Sequence, residues 1–149
     1  MSAEPILRVA GRPVAALHDL PALERRLVHA LRLWVSGRSG QRRVAEGGAL
    51  GLDARRGRAC LLRLDETMSL VLLHGRRETA IAPDGSEGVF ADEAVLARLV
   101  ALAAEGARDE AVLMAALLVR ADLSLALARA AEGLGLALMR AADARAGDA

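Results

Sequence analysis

Aromatic side chains are almost missing from these 149 residues: there is one Trp, one Phe and no Tyr. A core must therefore be built from Leu, Val and Ala, and the chain has no set of aromatic platforms on which single-stranded nucleic acid could stack. Lysine and asparagine are absent and glutamine occurs once, so all 20 basic residues are Arg. An arginine-only cation set is what a GC-rich coding sequence produces, and the number of arginines is not in itself a phosphate-binding signal. One cysteine, Cys60, excludes an intrachain disulfide framework and fits a reducing compartment. No charge-free apolar run reaches the roughly 18 residues of a membrane span, because Arg98, Arg120 and Arg129 interrupt the longest candidates. The opening "MSAEPILRVAGRP" carries an early acid and no apolar stretch of signal-peptide length. These features lead us to expect a cytoplasmic protein that does not enter a membrane.

Hydrophobic residues make up 54% of the chain, which suits one domain (1–149) burying roughly 70% of the surface its unfolded form exposes. The net charge of +1 conceals an asymmetry. Residues 25–77 hold twelve Arg against four acids, whereas 78–149 hold six Arg against twelve acids. Such a layout suits a nucleic-acid face with an acidic counterweight, or two parts that pack on each other within a chain or across a dimer. The second reading is preferred, since the acidic part would repel a polyanion brought near the basic one.

Periodicity predicts an all-α fold, a mainly helical small domain of five to six helices. Helix should cover more than half of all residues, and any sheet should be confined to 1–17 and 55–90. An extended segment over 1–18 leads into a helix at 19–35, where Leu23, Leu27, Leu31, Trp34 and Val35 form an apolar stripe. Trp34 should be largely buried against the C-terminal helices, with Glu24, Arg25, Arg26 and Arg32 facing water. A Gly/Arg-rich connection follows at 36–52. Residues 53–74 have helical spacing, with "ACLLRL" and "SLVLLH" as two buried strands the alternative, which would make the fold α+β with strands in 55–90. Pro83-Asp84-Gly85 marks a turn, and a minor β-hairpin is expected near 78–90 and at the N-terminus. Residues 89–142 read as three helices, opened by acids at Asp92, Asp109 and Asp122, with Gly106 at the C′ position of the first and Arg120 closing the second.

The stretch "GRSGQRRVAEGG" (37–48) lacks the Gly-Lys-Ser/Thr ending of a phosphate-cradling loop. Read onward over 41–64, it suggests a degenerate helix-turn-helix, in which Gly57 occupies a recognition-helix position that calls for a branched apolar residue. Arg38, Arg42, Arg43, Arg55, Arg56 and Arg58 would then contact an anion or nucleic acid. Against this, base-reading partners of Arg are scarce in the segment. His18, His29 and His74 are scattered, Cys60 sits on an apolar stripe, and no residue stands out as catalytic, cofactor-binding or metal-ligating. The helices between 109 and 141 are apolar nearly all round. That points to a homo-oligomer, most simply a dimer, through Leu113, Leu117, Leu123, Ala126, Leu127, Ala130, Leu134 and Leu138. The function expected is that of a non-catalytic, self-associating interaction or accessory protein. An Arg-mediated nucleic-acid-binding regulator is the alternative.

Overall fold

The computed structural model describes residues 12–139. Helix accounts for 70% of it. The elements run β1 (Pro13–Ala16), α1 (Ala22–Val35), α2 (Arg38–Glu46), α3 (Ala54–His74), β2 (Gly88–Phe90), α4 (Ala91–Ala104), α5 (Arg108–Ala115) and α6 (Ser124–Leu138), with single 3-10 turns at Leu17–Asp19, Gly48–Leu50 and Ala121–Leu123. The mainly helical class is as the periodicity predicts. Residues 1–11 of the expected extended segment and the end of the last helix at 140–142 lie outside the described residues.

Residues 53–74 resolve as one helix. Asp53 caps it by accepting the Arg56 backbone N–H at 2.8 Å. Its apolar positions Cys60, Leu64, Met68 and Val71 recur every three or four residues and are all buried, a spacing that strands would split between two faces. The short sheet takes one strand from each of the two expected segments: β1 pairs antiparallel with β2. Pro83 to Ser86 do form a turn, with Ser86 N–H donating to the Pro83 carbonyl at 3.1 Å. Residues 80–82 do not become its partner strand, because carboxylates of α4 take their amides. Ala80 N–H donates to Asp92 at 2.7 Å and Ala82 N–H to Glu93 at 3.3 Å.

Two expectations about the chain's course are corrected. The 36–52 connection contains α2, whose Val44 is fully buried, so the glycines bound a helix rather than replace one. The second C-terminal helix stops at Ala115 rather than Arg120. Beyond it the backbone leaves the helix and bridges to the end of α3. Gly75 pairs with Val119, Arg76 N–H donates to the Leu118 carbonyl at 2.9 Å, and Arg120 N–H donates to the His74 carbonyl at 3.3 Å.

α6 is the central element, packed against α3, α4 and α5 and touching α1. Its small residues make this possible. A Cβ on Gly135 would lie 2.7 Å from the Ala104 Cβ of α4, and one on Gly133 would meet the Arg63 side chain of α3. Packing against three helices accounts for the buried apolar residues of α6, while Leu125, Ala126 and Leu136 stay exposed on its outer side.

Candidate functional site

The arginine-rich segment folds as a helix–turn–helix unit. α2 ends at Gly47, whose φ of +86° suits glycine, and the chain turns through 48–53 into α3. At the crossing a Cβ on Gly57 would stand 2.5 Å from the Ala45 carbonyl oxygen and 2.6 Å from that of Val44. Gly57 therefore lets the first turn of α3 lie on the backbone of α2, an approach that a larger residue would block. Arg38, Arg42, Arg43, Arg55, Arg56 and Arg58 are all exposed on this unit. One of the six is tied into the fold, since the Arg56 guanidinium donates to the Met139 carbonyl. Arg26, from α1, donates to the Leu138 carbonyl at 2.7 Å. The two cations sit at the carbonyl-rich C-terminus of α6, where the helix dipole favours positive charge.

The eight residues expected at an oligomer interface divide into two groups. Leu127, Leu134 and Leu138 are fully buried within the single chain and Ala130 nearly so, so none of these four is available to a partner. The helical stripe 127–130–134–138 is thus the inner side of α6. Leu123 is half-buried and Ala126 exposed. Leu113 and Leu117 are 70% and 60% exposed. Leu125 and Leu136, each 52% exposed, lie eleven residues and three turns apart on the same outer face of α6. Sequence reasoning does not find these two, because a helix apolar on every side gives no periodic signal for which side faces out. A groove of about 380 Å³ runs between α5 and α6, lined by apolar Ala111, Val112, Leu125 and Ala128 and by Arg108, Arg129 and Glu132.

Sequence reasoning also misses a buried ion pair. Arg32 and Glu24, expected to face water, are 2% and 8% exposed. Burial raises the Glu24 carboxyl above its ordinary range, with Arg98 pulling it back and Glu105 adding to the rise. Arg32 Nε donates to Glu93 at 2.8 Å and Nη2 at 3.0 Å, and its remaining N–H groups reach the Ser86 and Gly88 carbonyls, each at 2.8 Å. Glu93, the N3 residue of α4, also accepts the Phe90 backbone N–H at 2.9 Å, as in a capping box. Among the described residues no buried side-chain polar atom lacks a partner. Arg77 and Asp92 form a second pair at 2.6 Å, which keeps the Arg77 guanidinium more firmly protonated. Both pairs join the basic middle of the chain to its acidic end. The signal available in the sequence is a charge at 32 interrupting the stripe set by Val28 and Val35.

A second cleft, of about 580 Å³, opens between α1, the 48–51 turn and the 84–87 turn. His29 Nε2 lies 3.7 Å from Asp84 across it, and Arg25, Arg26 and Glu87 complete a wall of mixed charge. Among the described residues no group of three or more His, Cys, Asp or Glu comes together as a metal site would require. Trp34 is half-buried, and its indole N–H donates to Asp65 of α3 at 2.7 Å; its polar contact is thus with α3, not with the C-terminal helices. Cys60 is fully buried, and desolvation pushes its thiol up to about 12. The thiolate fraction at pH 8 is then negligible. A chromogenic disulfide reagent at that pH should leave the native protein unlabelled over hours and titrate one thiol in guanidinium chloride. Rapid labelling of the native form would show the site to be open.

Comparison with protein-family models, with curated proteins and with solved structures gives no match to this chain.

Proposed function

We propose that the chain is a non-catalytic interaction protein that works as a homodimer joined through the outer leucines of α5, the turn after it and α6. The observation that carries the reading is the exposure of Leu113 on α5, Leu117 in the turn after it, and Leu125 and Leu136 on α6, with Leu125 also lining the groove between the two helices. Large apolar side chains grouped on a surface mark a contact region far more often than isolated ones do. Charge favours a second copy over an unlike partner. The groove carries Arg108 and Arg129 together with Glu132, so the face holds charges of both signs, as a surface that meets its own copy requires. The catalytic alternative loses support from the titratable groups that are most buried. Glu93 and Asp92 are held by arginines and backbone amides, and Cys60 is kept protonated.

Leu113→Glu/Leu117→Glu tests this with little risk to the fold, since both side chains are already in water in the single chain. Size-exclusion chromatography with light scattering should show the double variant as a monomer with an unchanged far-UV circular dichroism spectrum. A variant that keeps the dimeric mass of the wild type would place the contact elsewhere.

A further inference from the structure

The charge asymmetry of the chain is neutralised in one place and left open in another. The basic middle and acidic end of the chain meet through Arg32–Glu93 and Arg77–Asp92. Neither pair involves the α2–turn–α3 unit. Residues 38–58 hold six arginines against Glu46 and Asp53 alone, and Asp53 is taken up as the N-cap of α3. With Arg56 turned to the Met139 carbonyl, five guanidinium groups remain: Arg38, Arg42, Arg43, Arg55 and Arg58. All five are exposed, and none pairs with a carboxylate among the described residues. The Gly57 crossing gathers them onto two helices in backbone contact.

We propose that this unit is a docking surface for the phosphate backbone of duplex nucleic acid, bound without regard to base sequence. Charge complementarity selects a polyanion, because arginine recognises phosphate with paired N–H donors and none of these five pairs with an anion among the described residues. The residues that are absent then select the form. Single strands are held by aromatic stacking, but Phe90 is buried and the Trp34 indole is tied to Asp65. Reading adenine calls for Asn or Gln, yet Asn is absent, and the only Gln, Gln41, donates to the Trp34 carbonyl at 3.1 Å, so the unit has no side chain to accompany arginine in reading a mixed sequence. What is left is contact with backbone phosphates, for which the regular spacing of a duplex is the natural match. The surface lies on α2 and α3, and the proposal is independent of the dimer proposed through α5 and α6.

Fluorescence anisotropy with a labelled 20-base-pair DNA duplex, titrated with full-length protein from 50 to 200 mM NaCl, tests this. Five phosphate contacts predict a slope of log K against log salt of about −4.5, which is about 500-fold weaker binding across that range. A duplex of scrambled sequence should bind equally. Arg42→Ala/Arg43→Ala/Arg58→Ala, checked for helix content, should flatten the slope by about three. Three results would each overturn the proposal: no binding of the folded wild type at 50 mM salt, a triple variant with the wild-type slope, or tighter binding of a single strand or of anionic phospholipid vesicles than of the duplex.

Discussion

Replacing Arg32 with alanine is expected to lower stability by about 3–5 kcal/mol, a large share of the total for a domain of this size. The reason is the partner left behind. Glu93 is fully buried, and without the guanidinium it keeps only the Phe90 and Ala82 amides as donors. The Ser86 and Gly88 carbonyls lose their donors as well. Removing both members of the pair should do less harm, because well-packed apolar side chains in their place bury no unpaired charge. Arg32→Met combined with Glu93→Leu is therefore expected to be more stable than Arg32→Ala by about 1 kcal/mol or more. Guanidinium unfolding of the wild type, Arg32→Met, Glu93→Leu and the double variant measures the coupling, with Arg32→Ala run beside them. A loss below about 1 kcal/mol for Arg32→Ala would mean that water, not Arg32, holds Glu93.

The second large effect is at Gly57. Alanine in place of glycine inside a helix ordinarily stabilises by about 1 kcal/mol. Here the added Cβ would press on the Ala45 and Val44 carbonyl oxygens and the Gly47 nitrogen, all backbone atoms that cannot rotate away. α2 and α3 would have to part, and the sign should reverse to a loss of about 2–3 kcal/mol. Thermal unfolding of Gly57→Ala gives the answer. A melting temperature at or above that of the wild type would show that the two helices can separate there at no cost.

These two positions also show what is legible in the sequence and what is hidden. Stripes at helical spacing mark α1 and α3 because each has one apolar side and one wet side. Gly106 marks the end of α4 because its φ of +85° is open to glycine and strained for other residues. α6 defeats the same reasoning, since its exposed side carries Leu125, Ala126 and Leu136 and is nearly as apolar as its buried side. Its inner stripe, Leu127, Ala130, Leu134 and Leu138, therefore reads as an outer one. Charge alone puts Arg32 in water, although it stands one turn after Val28 on the buried side of α1. Its partner lies 61 residues away, and no local pattern connects them. Gly57 reads from sequence as a flaw in a recognition helix and in the fold as a point of backbone contact. Its environment comes from α2, and α2 is itself hidden by the glycines around it. Of the proposed surfaces, the arginines are legible because exposure is the default for guanidinium groups. Leu125 and Leu136 are not, because nothing local distinguishes an exposed leucine from a buried one.

Sedimentation equilibrium of the wild-type protein at micromolar concentration tests the central claim, self-association through the leucine face, most directly. The account predicts a species of twice the 15.6 kDa chain mass, in reversible exchange with monomer on dilution. A single 15.6 kDa species across the whole concentration range would contradict it.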